Sequence, residues 1–75
     1  MSTKARLLFI CLDNSGYEAS LERLKIYAGL PDAKAERVGQ LRIIDESGED
    51  YLYPADRFIA ADLPNATRKA VLELT

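Results

Sequence analysis

Residues 41–59 read LRIIDESGEDYLYPADRFI and decide the fold. Residues 41–44 are apolar or β-branched with one interleaved charge, Arg42, and Tyr51, Leu52 and Tyr53 mirror them beyond an acidic centre. This composition is typical of half-buried strands. Between them, Asp45 and Gly48 occupy the first and fourth positions of a type I turn, where glycine can adopt a positive φ as a bulge. The stretch therefore predicts a β-hairpin, then a tight corner and the start of a further strand.

The register of this hairpin depends on the kind of turn. If Gly48 is a bulge, Ile43 lies opposite Tyr51 across the hairpin. If the turn instead has two residues, Ile43 lies opposite Leu52. A slip of one residue exchanges the two faces of a strand, and the local sequence allows both registers.

Length and composition predict one small domain. A chain of 75 residues buries only about 60% of the surface that it exposes when unfolded. With 48% hydrophobic and 29% charged residues, the chain is too apolar to be disordered. We expect it to fold around a core so small that a covering helix or a second subunit would stabilise it.

The distribution of charge argues against nucleic acid as the main ligand. The net charge is −2, and the ten basic residues are spread along the chain without a run. The acidic residues are less even, because several gather at the predicted hairpin tip, namely Asp45, Glu46, Glu49 and Asp50. A solvated cap is favoured over a calcium site there, since the ligand pattern of a calcium loop is incomplete.

The residues that usually carry chemistry are scarce. The chain has one cysteine, Cys11, and no histidine, which excludes an internal disulfide and leaves few ligands for zinc. Without a histidine base, Cys11 is expected to be a buried strand residue and not a nucleophile. Paired carboxylates such as Asp45 and Asp50 lack, at a hairpin tip, the cleft that acid–base catalysis needs. We therefore expect no catalytic residues, no metal, no cofactor and no enzyme activity.

Cysteine content and apolar runs also bear on location. A free thiol without a partner is typical of a reducing compartment. The continuous apolar run at residues 7–12 has six residues, far below the ~20 that a membrane-spanning helix needs. We expect a cytoplasmic protein that has no membrane segment.

Residues 17–30 allow two interpretations. A capping box at the start and Gly29 as a stop predict a helix over residues 17–29, which the local rules favour slightly. Ile26 and Ala28 alternate with polar or small residues, however, which fits a strand as well. The residues by themselves leave both open.

The remaining elements are short. A strand is predicted over residues 5–12, ended by a turn at residues 13–16, and a loop or single helical turn is predicted over residues 31–39. A 3₁₀ turn is predicted after Pro54, followed by a strand over residues 58–61 and a helix over residues 65–74. The helix has Asn65 as its N-cap, and its apolar side is formed by Ala66, Ala70, Val71 and Leu74. A helix this short is marginal in isolation, so it should dock on the sheet or on a partner.

From residue 21 to residue 63, the chain resembles a group of short, uncharacterised bacterial and phage-like proteins that look like small SH3-type β-barrels. The similarity lies in LERLKIY, LRIIDESGEDYLYP and DRFIAADL. The shared pattern begins with a Lys-x-Tyr strand, here Lys25 and Tyr27, and an Ile-Asp-x-Ser-Gly-Glu hairpin, here residues 44–49. It continues with a Tyr-Pro corner, here Tyr53 and Pro54, and ends with a last strand that contains a Phe, here Phe58.

The resemblance implies a mainly β fold, a small five-stranded SH3-like barrel with a short C-terminal helix, as a single domain over residues 1–75. It changes the expectation for residues 17–30 from a helix to a loop plus a strand. It also implies a 3₁₀ turn at residues 54–56 that joins the last two strands. The alternative is an α+β fold in which a helix over residues 17–29 packs on an antiparallel sheet.

The corner after the hairpin bears on ligand choice. In SH3 domains that bind proline-rich peptides, this corner supplies a Pro and a Tyr to the ligand groove, beside an exposed Trp. This chain has no Trp, and Arg57 and Phe58 stand where that groove has Asn and Tyr. Recognition of proline-rich peptides is therefore not expected, and a fold alone implies no function.

The expected function is a non-catalytic protein-interaction module whose partner is another protein or a second copy of the chain. Its expected anchors are Tyr51, Tyr53, Arg57 and Phe58, because exposed aromatic and arginine side chains dominate binding energy at interfaces. The alternative is an accessory nucleic-acid binder, a small barrel that would use Lys25, Arg42, Arg57, Tyr27, Tyr51 and Tyr53.

Overall fold

The computed structural model of the protein describes residues 7–74 and is mainly β, as predicted. Its strands are β1 Leu7–Cys11, β2 Ile26–Leu30, β3 Gln40–Ile44, β4 Asp50–Pro54 and β5 Phe58–Ala60. The remaining elements are helix α1 Ala33–Arg37, a 3₁₀ turn at Ala55–Arg57 and helix α2 Asn65–Leu74. All five strands pair antiparallel in the order β4-β3-β2-β1-β5, and the sheet curls into a half-barrel.

The hairpin of β3 and β4 has the bulged register. Gly48 adopts a φ of +84°, and its N–H donates to the Asp45 carbonyl at 2.9 Å. The Asp45 N–H in turn donates to the Glu49 carbonyl at 3.1 Å, which closes the turn. Ile43 consequently pairs with Tyr51, and the alternative of a two-residue turn is wrong.

Residues 17–25 form a loop that leads into β2, so the helix predicted over residues 17–29 is wrong. β2 pairs with β1 on one side and with β3 on the other, and these backbone bonds outweigh a local capping pattern. Gly29 is not a helix stop but a point of close packing, because a Cβ there would lie 2.7 Å from the Phe9 ring. The loop plus strand that the resemblance implies is confirmed.

The core lies on the inner face of the curled sheet. Its buried residues are Cys11, Leu21, Tyr27, Ile43, Tyr53 and Phe58. Leu21 reaches this core from the loop between β1 and β2 and has no exposed surface. The rings of Phe9 and Phe58 meet edge to face with their centroids 6.4 Å apart. Cys11 is fully buried, as predicted, and burial raises the pKa of its thiol.

Helix α1 lies within residues 31–39, for which the sequence predicts a loop or a single helical turn. Asp32 caps it, because its Oδ1 accepts a hydrogen bond from the Ala35 N–H at 3.0 Å. The other carboxylate oxygen of Asp32 accepts from the Arg42 guanidinium at 2.9 Å. The bonds from Ala35 and Arg42 hold the pKa of Asp32 below its usual value. The cap thus joins α1 to the neighbouring strand β3.

The C-terminal helix α2 forms over the predicted residues, but the prediction of Asn65 as its N-cap is wrong. Asn65 is the first helical residue, because the Arg68 N–H donates to the carbonyl of Pro64 at 2.8 Å. None of the described residues of α2 is buried, and Leu74 is 87% exposed. Its end lines an open groove of about 270 Å³ with outward residues of the sheet, among them Ile26, Ala28 and Ile44. The helix therefore covers the sheet only in part. Over residues 7–74, neither helix is long and apolar enough to cross a membrane.

Leu24 adopts a left-handed backbone conformation with a φ of 68°. Its side chain is 61% exposed, and its N–H donates to the Cys11 carbonyl at 2.6 Å. This conformation costs a residue with a β-carbon about 1 kcal/mol or more. We expect Leu24→Gly to raise the free energy of unfolding by about 0.5–1 kcal/mol in urea denaturation, because glycine adopts this φ without strain.

The matched control is Leu24→Ala, which removes the same exposed side chain but keeps the β-carbon. We expect no gain in stability from it. An equal gain in both variants would mean that the side chain, and not the backbone strain, destabilises the wild type.

Candidate interaction surface

Strand β4 forms one edge of the sheet, because within residues 7–74 it pairs only with β3. The Ala55 N–H donates to the Gly39 carbonyl at 2.8 Å, which sets the alternation of backbone groups along this hairpin. The odd-numbered residues of β4 therefore direct their N–H and C=O groups toward β3. Asp50 and Leu52 direct theirs away from the sheet.

Two large side chains project from this edge on opposite faces. Tyr51 is 50% exposed and Leu52 is 42% exposed. Tyr51 pairs with Ile43 on the inner face, whereas Leu52 pairs with Arg42 on the outer face. Together with Asp50, these residues form what we call the β4 edge. Free backbone groups flanked by exposed aromatic and aliphatic side chains are a template for another strand.

Tyr53 and Phe58 are expected anchors that the structure places in the core. Tyr53 is 5% exposed, its hydroxyl donates to Asp45 Oδ2 at 2.6 Å, and its ring meets Tyr17 edge to face at 5.0 Å. Burial and the bond to Asp45 raise the pKa of Tyr53 to about 12. Phe58 is 7% exposed and pairs with Cys11 at the start of β5. The expectation that these two rings are exposed is wrong, because both belong to the inner face of the curled sheet.

Arg57, another expected anchor, is partly exposed and holds the loop between β1 and β2. Its guanidinium donates to the Ser15 carbonyl at 2.7 Å and lies 5.4 Å from the centre of the Tyr17 ring. The Asp13 carboxylate lies 3.8 Å away. With 27% of its side chain still exposed, Arg57 can contact a partner only from its outer side. Its main contacts are within the domain.

The acidic hairpin tip is not solvated throughout, since Asp45 is only 7% exposed. Its Oδ1 accepts from the Ser47 N–H at 2.9 Å and from the Ser47 hydroxyl at 2.5 Å. Burial by itself would raise the pKa of Asp45, but the hydrogen bonds from Ser47 and Tyr53 outweigh it and hold this pKa below its usual value. The prediction of a solvated cap is wrong for Asp45 and is confirmed for the exposed Glu46, Glu49 and Asp50.

Carboxylates neutralise two of the cations that would face nucleic acid. Lys25 Nζ lies 2.6 Å from Glu46 Oε2. Arg42 lies between Asp32 at 2.9 Å and Asp50 at 3.0 Å. Because these partners are already in place, a phosphate would have to displace them.

Sequence reasoning missed two residues of this region, Leu52 and Tyr17. Leu52 belongs to the second hairpin strand in any register, but local sequence does not mark which strand of a sheet becomes an edge. Tyr17 lies in the segment whose fold was ambiguous, although a Tyr next to Gly16 in a turn-rich stretch could have indicated a loop aromatic.

The described residues show no cluster of side chains suited to metal binding. Within residues 7–74, no three His, Cys, Asp or Glu side chains lie together in a way that could hold a metal ion. Comparison of the chain with known protein families, curated proteins and solved structures finds no match.

Proposed function

We propose that the half-barrel is an SH3-like barrel that serves as a non-catalytic protein-interaction module. The pairing of β5 with β1 supports a barrel, because it brings the last strand back to the first. The 3₁₀ turn between β4 and β5 is the connection that the resemblance to small SH3-type proteins implies. The fold alone carries no function, so the functional argument rests on the β4 edge.

The observation that carries the proposed function is the outward backbone of Asp50 and Leu52 beside two exposed side chains. An extended segment of a partner would add to the sheet by hydrogen bonds to these two residues. Its side chains would contact Tyr51 on one face of the strand and Leu52 on the other. The exposed side of Arg57 is a further expected contact near the end of β4.

Nucleic acid is the less favoured partner. Stacking needs exposed rings, and Tyr27 and Tyr53 are 4% and 5% exposed. Phosphate contacts need available cations, and Lys25 and Arg42 are paired with carboxylates. Of the tyrosines named for nucleic-acid binding, only Tyr51 is exposed.

Leu52→Pro tests the β4 edge. Proline removes the N–H that Leu52 directs away from the sheet but leaves the hydrogen bonds between β3 and β4 in place, as edge strands tolerate. In affinity capture from a lysate of the native host, we expect partner proteins to bind the variant at least about tenfold more weakly than the wild type. Quantitative mass spectrometry of the captured proteins measures this loss.

The matched control is Leu52→Ala, which removes the side chain but keeps the N–H, so we expect a smaller loss of capture. Circular dichroism checks that both variants are folded. Capture by a folded Leu52→Pro variant at the wild-type level would contradict binding at this edge. Partners that disappear after nuclease treatment would support the nucleic-acid alternative.

A further inference from the structure

We propose that the β4 edge pairs with the β4 edge of a second copy of this chain, with antiparallel strands and with Tyr51 of both copies at the twofold axis. This proposal rests on the proposed function, because it names the partner of the same edge. Its argument comes from the backbone groups, the charges and the side chains of β4.

The position of Pro54 restricts how two copies can pair. Pro54 ends β4 and has no N–H, so among the outward residues only Asp50 and Leu52 offer both a donor and an acceptor. With Tyr51 on the axis, Asp50 of each copy lies opposite Leu52 of the other, and the outward N–H and C=O groups of both residues are satisfied. With Leu52 on the axis, Asp50 would face Pro54 and its carbonyl would lack a donor. The backbone thus favours the register centred on Tyr51.

The charges favour antiparallel pairing. The exposed acids Glu46, Glu49 and Asp50 lie at one end of the hairpin, and antiparallel strands place the two acidic tips at opposite ends of the interface. Parallel strands would bring the tips together, which like charges disfavour. Asp50 enters this interface already paired with Arg42 at 3.0 Å. It would lie beside Leu52 of the second copy, whose neighbour on β3 is again Arg42.

The side chains provide the apolar contact. Tyr51 of the two copies would form a non-hydrogen-bonded pair, in which opposing Cα atoms lie about 4.5 Å apart. Aromatic pairs at such positions stabilise a sheet, and Tyr51 has 50% of its surface available. Pairing buries the β4 edge of each copy inside a continuous sheet. The outer edges of that sheet are then the two copies of β5, a strand of only three residues. The assembly therefore closes as a dimer and does not extend further.

A disulfide introduced at the axis tests this register. In a glutathione redox buffer, Tyr51→Cys should form a covalent dimer, because the opposing Cα atoms fall within disulfide range. Leu52→Cys is the matched control, since Leu52 is similarly exposed at 42% but lies opposite Asp50. An equimolar mixture of Asp50→Cys and Leu52→Cys should form the mixed dimer. The wild type should not cross-link, because its Cys11 is fully buried. Mass spectrometry under non-reducing conditions identifies each product.

Analytical ultracentrifugation tests the pairing without a cross-link. We expect the mass of the wild type to rise with concentration from that of one chain to that of two. Tyr51→Lys should remain a single chain, because it places two ammonium groups opposite each other, and Leu52→Pro should do the same. Circular dichroism confirms that both variants are folded.

The outcomes separate this inference from the proposed function. A wild type that stays a single chain up to about 1 mM would overturn self-pairing, whereas loss of partner capture by Leu52→Pro would still support binding at the edge. A dimer that cross-links through Leu52→Cys but not through Tyr51→Cys would overturn the proposed register.

Discussion

Asp45→Ala is expected to lower the free energy of unfolding by about 3 kcal/mol. Asp45 is buried and accepts hydrogen bonds from the Ser47 N–H, the Ser47 hydroxyl and the Tyr53 hydroxyl. Alanine removes all of these bonds and leaves the buried Tyr53 hydroxyl without this acceptor, which adds a desolvation cost. Urea denaturation followed by circular dichroism measures the loss.

Glu49→Ala is the matched control, because Glu49 lies in the same turn but its side chain is exposed and accepts a hydrogen bond from the exposed Tyr51 hydroxyl at 3.1 Å. We expect it to cost less than about 0.5 kcal/mol. Equal losses in the two variants would mean that the burial of Asp45 does not matter to stability.

Asp45 should also make stability depend on pH. Its pKa in the folded state is held below that of the unfolded chain, which is about 3.9. The stabilisation is therefore complete above about pH 5, where the carboxyl is ionised in both states, and is lost as the pH falls through the folded-state pKa. We expect Asp45→Asn to reduce the loss of stability between about pH 4 and pH 2 in thermal unfolding. An unchanged pH dependence would assign the acid sensitivity to other carboxylates, such as Glu46.

Gly29→Ala is the second substitution with a large expected effect, a loss of about 2–3 kcal/mol. A Cβ on Gly29 would lie 2.7 Å from Phe9 Cε2 and 3.2 Å from the Arg42 carbonyl oxygen. The Phe9 ring packs against Phe58, and Arg42 is part of the β3 ladder, so neither neighbour can move without cost. A domain of 75 residues is typically stable by roughly 4–11 kcal/mol. This one methyl group would therefore remove a large share of the total.

Gly16→Ala provides the comparison for Gly29→Ala. Gly16 has a φ of +86°, and apart from Gly16 itself and its two chain neighbours, no heavy atom of residues 7–74 lies within 4 Å of a Cβ built there. Only backbone strain then remains, and we expect a loss of about 1 kcal/mol. Urea denaturation of the two variants in parallel should show the larger loss at Gly29. The opposite order would contradict close packing against Phe9.

The hairpin could be predicted from sequence because its information is local. Asp45 and Gly48 stand within one turn, and the positive φ of Gly48 excludes most other residues at that position. The 3₁₀ turn after Pro54 is local in the same sense, since proline restricts its own φ and the residue before it. The register of β3 and β4 is nevertheless known only from the structure, because two turn types are compatible with the same turn residues.

Residues 17–30 could not be predicted in the same way. The capping box and Gly29 satisfy helix rules, but β2 exists because β1 and β3 lie on either side of it. Strand pairing depends on residues far away in the sequence, and no pattern inside the segment contains that information. The resemblance, and not the residue pattern, supplied the correct expectation.

The candidate site was predicted only in part, for a related reason. Tyr51 is exposed and Arg57 is partly exposed, as the expected anchors require. Tyr53 and Phe58 are buried, because successive side chains of a strand point to opposite faces of the sheet and these two lie on the inner face, which forms the core. Aromatic and arginine residue types suggested that all four side chains bind a partner. Whether each side chain is exposed, however, depends on the curvature of the whole sheet.

By itself, the sequence determined the hairpin turn at Gly48, the corner at Pro54, the burial of Cys11 and a net charge of −2 without a run of basic residues. These features depend on residue type and near neighbours. Only the tertiary structure decided that Asp45 joins the turn to the core and that β4 is an edge with Leu52 exposed. Burial and edge position arise from contacts between residues distant in the chain, and those contacts exist only once the sheet has curled around its core.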